Sequence, residues 1–123
     1  MKIEVSIGEI VDKLSILQIK TEMIEDEEKL VNIKKEYNYL HNIIFNKMDI
    51  EQSDFSDMVS VNQKLWRIED DIRNKEKERQ FDDEFINLAR LVYFTNDKRA
   101  EIKKNINLKY GSLFVEEKSY NKY

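Results

Sequence analysis

Four stretches of the chain place apolar residues three or four positions apart, and that spacing gathers them on one side of a helix. The third is the most regular: Val61, Leu65, Ile68 and Ile72 follow in 4-3-4 steps, as in a coiled-coil seam. The first runs through Ile7, Ile10, Val11, Leu14, Leu17 and Ile24, and the second through Leu30, Ile33, Tyr37, Leu40 and Ile44. The fourth starts at Phe85, Leu88, Ala89 and Val92. Local signals mark the ends. Ser6 and Glu9 have capping-box spacing, while Asp26 and Asp82 stand where an N-cap is needed. Gly111 suits the left-handed residue that closes a helix. Gly8, inside the first turn, costs helix propensity and suits close approach of another backbone.

Between these stretches the phase breaks at residues 25–29, and 46–56 reads as the clearest loop. Residues 73–80, RNKEKERQ, are polar on every side, so they project into water or cover a partner. Leu113, Phe114, Val115, Tyr120 and Tyr123 make the C-terminal segment apolar enough to dock on the body. Ile3 and Val5 alternate with polar residues, which suits a short two-stranded pairing of the chain ends. The expected fold is therefore all-α: an antiparallel helical bundle of about four helices, one domain over residues 1–123, with a short extended C-terminal tail packed back on the body.

Composition narrows the function classes. Hydrophobic residues make up 41%, enough for a core, and charged residues 37%, as amphipathic helices require. There is no cysteine, which removes disulfides and Cys-bound zinc. No run of apolar residues approaches membrane-spanning length, and no signal-peptide pattern opens the chain, so a cytoplasmic protein without membrane partners is expected. A net charge of −4 speaks against nucleic acid as a partner.

The charge is uneven, however. Lys98, Arg99, Lys103, Lys104 and Lys109 crowd the end of the fourth helix against a single acid, Glu101. Cations there meet the negative end of the helix dipole. At 100° per residue, Asn96, Arg99, Lys103 and Asn107 continue nearly the arc begun by Phe85 and Val92. A guanidinium turned toward the core requires a carboxylate or an anionic ligand, because burying it alone costs several kcal/mol. Three readings follow. Glu116 and Glu117 fold back to pair with Arg99 and Lys103, tethering the tail; or Arg99 and Lys103 hold a phosphate or carboxylate ligand, with Asn96, Asn107 and Glu117 around it; or the polar row is a solvated edge of the core.

Other chemistry has less support. His41 is the only histidine, which leaves no second one for a metal motif and no basis for a triad, and it reads as a surface residue. Glu22, Glu25 and Glu28 have the spacing seen in magnesium-dependent helical pyrophosphohydrolases, but no second acidic pair accompanies them. No cofactor and no metal site are expected. Asn62, beside the third seam, reads as a residue that fixes helix register, and Trp66 as packing. Tyr93 and Phe94 read as core or interface.

The segments EVSIGEIVDKLSILQIK, VNQKLWRIEDDIR and NDKRAEIKKNIN, followed by GS and VEEKSY, together resemble a family of short bacterial and viral proteins catalogued as a domain of unknown function. The resemblance covers most of the chain outside residues 22–59. It implies a genomic setting beside surface-polysaccharide genes, and no catalytic residue comes with it. A fainter likeness to helical chorismate mutases fails on motif. The sequence thus points to a non-catalytic helical binding or assembly module, with a homodimer or partner protein expected from the seam. The alternative is a small enzyme or binding protein for an anionic metabolite such as a nucleotide sugar.

Overall fold

The computed structural model describes residues 1–123. Helix α1 spans Ile7–Met23, α2 Glu27–Asn42, α3 Gln52–Lys77 and α4 Asp83–Lys109. No helix is long and apolar enough to cross a membrane. The N-caps expected from sequence are in place, although Glu9 bonds Lys103 and does not reach back to the Ser6 N–H as a full capping box would. Ser6 Oγ accepts from the Glu9 N–H at 3.3 Å, Asp26 from Glu28 and Lys29, and Asp82 from Phe85. Gly111 is left-handed, with φ of 67°, and the next N–H returns to the Asn107 carbonyl at 2.8 Å.

Helix α1 occupies the middle. It packs against α2, α3 and α4, whereas α2 rests mainly on α1 and buries no residue fully. A helix with neighbours on several sides needs more than one buried stripe. The second one here is Gly8, Asp12, Ser15 and Ile19, offset from the apolar stripe and turned toward α3 and α4. At Gly8 the contact is so close that an added Cβ would stand 2.6 Å from the Lys103 carbonyl oxygen. The Gly8 N–H donates to Asn107 Oδ1 at 2.6 Å, and the Ile7 N–H to Ser112 Oγ at 3.0 Å. Both are first-turn donors that no helix can satisfy for itself.

The core lies under these contacts: Val11, Leu14, Ile44, Phe55, Met58 and Ile106 are all buried. Val61 of the α3 seam belongs to it. Val61, Leu65 and Ile68 are buried by the chain's own helices, so the 4-3-4 spacing is used inside one chain.

Three expectations need correction. The 46–56 loop is really residues 48–51, because α2 runs on into a π turn, Ile43–Lys47, that puts Ile44 in the core, and α3 starts at Gln52. Asp49, left-handed at φ of 56°, makes the reversal. No strand forms, and Ile3 is exposed, so the chain ends do not pair. The tail does lie back along α4, but Leu113, Phe114 and Tyr120 remain in solvent. Charge holds it instead, through Lys104–Glu117 at 3.2 Å and Lys103–Glu116 at 3.4 Å. Tyr123 donates its hydroxyl to Asp97 and sets its ring against Tyr93 and Phe94. The carboxylate beside it pushes that phenol's pKa up to about 12.

A second ionic lock closes the C-terminal end of α4. Lys109 reaches Glu51 at 3.0 Å and Asp54 at 2.8 Å, while Tyr110 donates to Asp54 and accepts from the Glu51 N–H. Burial alone would raise the Asp54 pKa, yet the Lys109 and Tyr110 hydrogen bonds overrule it and leave the value lowered. A lowered carboxylate stabilises the fold above its unfolded pKa and loses that contribution as pH falls through the folded value. The stability gap between the native protein and Asp54→Asn, followed by urea unfolding across pH, is therefore expected to be full at neutral pH and to close below about pH 4. Helix propensity alone would make Gly8→Ala stabilising by roughly 1 kcal/mol. The clash with the Lys103 carbonyl reverses the sign, and a net loss of about 1–2 kcal/mol is expected in the same assay.

Candidate functional site

Helix α1 carries an acid where a core residue would stand. Asp12 is 1% exposed, and a carboxylate so far from water survives only when its oxygens are bonded. The fold provides the partners from two directions. From α4, Arg99 donates Nε to Oδ1 at 3.0 Å and Nη2 to Oδ2 at 2.5 Å, the paired geometry that suits guanidinium to carboxylate. From α3, Asn62 donates its amide to the same Oδ1 at 2.8 Å and to Ser15 Oγ at 2.7 Å. Ser15 in turn donates to the Asp12 carbonyl at 2.6 Å.

Lys103, one turn along α4, extends the cluster outward. Its ammonium lies 2.7 Å from Glu9, 3.4 Å from Glu116 and 3.6 Å from Asp12. Burial works against the charged form of Lys103, but the Glu9 hydrogen bond and the surrounding carboxylates outweigh it, so its pKa is raised. The Asp12 hydrogen bonds likewise raise the pKa of Arg99. Two cations meet three carboxylates here, so the cluster carries one net negative charge.

The five residues singled out from sequence divide accordingly. Arg99 and Lys103 do face inward together, but their counter-charge comes from α1. The tail contributes Glu116 to Lys103 only. Glu117 pairs with Lys104 on the exposed side, so the expected Arg99–Glu117 tether does not form: Asp12 fills Arg99's two donor positions instead. Asn107 is buried at 1% exposure and spends its oxygen on Gly8, its amide nitrogen being the one buried side-chain polar atom without a partner. It belongs to the α1–α4 contact. Asn96, one turn before Arg99, opens to solvent beside a groove.

That groove runs between α1, α3 and α4 and encloses about 470 Å³. Ile16, Ile19, Leu65 and Trp66 supply apolar walls, and Asn62, Asn96 and Arg99 supply a polar side. A larger recess, about 590 Å³, lies under the tail among Tyr93, Tyr120 and Tyr123. Its own cation is already inside, since Lys118 stands 5.4 Å from the Tyr120 ring centre. The first groove is joined to the buried cluster; the second is not.

Sequence reasoning missed Asp12, Ser15 and Glu9. Their signal was present: Gly8, Asp12 and Ser15 are small or polar residues at i, i+4 and i+7, one face of a helix beside its apolar stripe. His41 is exposed as expected, its ring 5.6 Å from Tyr37 and 4.7 Å from Phe45. Glu22, Glu25 and Glu28 fall on α1, the linker and α2 respectively, so they do not form a face.

Among known families, the Family of unknown function (DUF6165) matches over residues 1–123. The chain belongs to that family. No curated protein and no solved structure matches it. For this DUF6165 member, the cluster therefore has to be interpreted from its own geometry.

Removing one member of a buried, bonded ion pair costs about 3–5 kcal/mol, because the other charge is left without a partner. Asp12→Ala is expected to lose about that much in urea unfolding. The Asp12→Ala/Arg99→Ala double mutant should fall short of additivity by more than 1 kcal/mol, roughly the scale of coupled contacts. Arg99→Ala with Glu117→Ala should be additive within about 0.5 kcal/mol. Coupling at the second pair and none at the first would contradict the geometry.

Proposed function

We propose that this protein is a cytoplasmic, non-catalytic helical assembly module that associates with a second copy of itself. The observation that carries the reading is its surface. A folded monomer of 14.9 kDa is expected to expose about 7,000 Å², whereas this one exposes 8970 Å². Phe81, Ile86, Tyr93 and Phe94 stand exposed along the outer side of α4 and the turn before it. A standard interface takes about 800 Å² from each partner, so the excess is large enough for one. A two-fold dimer asks only that one such patch meet itself.

The pairing of Arg99 and Lys103 within the chain supports the assembly reading over a metabolite site at the end of α4. An anionic metabolite would need Arg99 or Lys103, and both are already held by carboxylates. A module of this kind, encoded beside surface-polysaccharide genes as the resemblance implies, would act as an accessory chain rather than as a transferase.

Light scattering on a sizing column, or sedimentation equilibrium, tests the proposal. The expected mass is about twice 14.9 kDa, falling to the monomer value in Ile86→Glu/Phe94→Glu, with helix content by circular dichroism unchanged. A native protein that stays monomeric up to millimolar concentration would sink the self-association reading.

A further inference from the structure

The groove beside the ion cluster has a property that the assembly reading does not use. Asn62 is 5% exposed, and both of its amide hydrogens are committed, one to Asp12 and one to Ser15. Those two bonds settle which end of the amide is which. They leave the carbonyl oxygen without a partner in the chain, yet it is not sealed from solvent, and Asn62 lines the groove. Arg99 is held in the same way. Its Nε and Nη2 are tied to Asp12, and Nη1 is free on a residue that also lines the groove. Asn62 and Arg99 grip the same Asp12 oxygen, Oδ1, so the bonds to one carboxylate fix both side chains in the groove lining.

We propose that this groove is a binding site for an uncharged, flat heterocycle that carries a hydrogen-bond donor next to an acceptor, the pattern of a nucleobase edge. The acceptor of the ligand meets Arg99 Nη1, and its donor meets the Asn62 carbonyl oxygen. Asn96, half-buried and unpartnered on the next turn of α4, offers an amide that serves either role. Trp66, Ile16 and Ile19 supply apolar surface for the ring. A volume of about 470 Å³ lies within the ordinary range for small-molecule sites.

Charge decides against a phosphate. Arg99 is balanced by Asp12, and Arg73 on the rim is paired with Glu69 at 3.4 Å, which leaves Asp70 as the unpaired charge in the lining. A dianion would meet a negative surface. The site is also set before any ligand arrives, because the same bonds that stabilise Asp12 fix the Asn62 and Arg99 rotamers, and fixed groups lose little entropy on binding.

Trp66 is the only tryptophan, so its emission reports on the groove directly. The test titrates the full chain with uridine, cytidine, adenosine and guanosine, and in parallel with their monophosphates. At least one nucleoside is expected to change Trp66 emission saturably, and its monophosphate to bind no more tightly. Asn96→Ala takes no part in the ion cluster and should weaken that nucleoside about tenfold, the worth of one good hydrogen bond. Trp66→Phe, followed by calorimetry, should keep binding while abolishing the optical signal. No binding of any nucleoside by emission or by calorimetry overturns the proposal. So does a monophosphate that binds more tightly than its nucleoside, or an affinity that Asn96→Ala leaves unchanged.

Discussion

The fold is organised around one carboxylate that has lost its water. Asp12 lies on the helix with the most neighbours, and its oxygens require donors that α1 cannot supply. Arg99 brings α4 to it and Asn62 brings α3. Each donor is directional, so the acid fixes the axial position of both helices against α1, which apolar packing alone does only loosely. Gly8 then lets α4 close on α1 within a backbone contact, and Asn107 caps the buried first-turn N–H left there. Ionic bonding and close packing thus act on the same face of the same helix.

The same arrangement explains the uneven division of labour over the surface. Inside, every cation of the α4 row has a counter-charge, so the end of the helix that looked most reactive in the sequence is the most settled part of the molecule. Outside, α2 and the far half of the α3–α4 hairpin expose apolar side chains to solvent. The interior specifies one arrangement of helices; the exterior presents surface to something else. Between them lies the groove, where Asn62 and Arg99 face inward with some of their hydrogen-bonding groups and outward with others.

Much of the architecture was legible because it depends on local chemistry. Ser6, Asp26, Asp82 and Gly111 cap or close helices through atoms only a few residues away, and each does what its type and place imply. The need for a partner to Arg99 was also legible, from the cost of a buried guanidinium. Its identity was not. Asp12 is 87 residues away, and it sits off the apolar stripe of α1, where a charged residue ordinarily faces water. Only the tertiary fact that α1 has neighbours on more than one side turns it inward. The α3 seam has the spacing of a two-chain coil, and Val61, Leu65 and Ile68 on it are buried within the chain, while Ile72 is half-buried. The π turn at Ile43–Lys47 left no composition signal, since it arises from how Ile44 reaches the core.

The length of chain between Asp12 and Arg99 has a consequence for the protein's birth on the ribosome. The first helix emerges with a carboxylate on its future buried face, and its guanidinium partner is translated 87 residues later. Until then the side of Asp12 that Arg99 and Lys103 cover lies open to water, and the acid stays hydrated. The last helix to be made is therefore the one that takes this carboxylate out of water and supplies its counter-charge in the same contact.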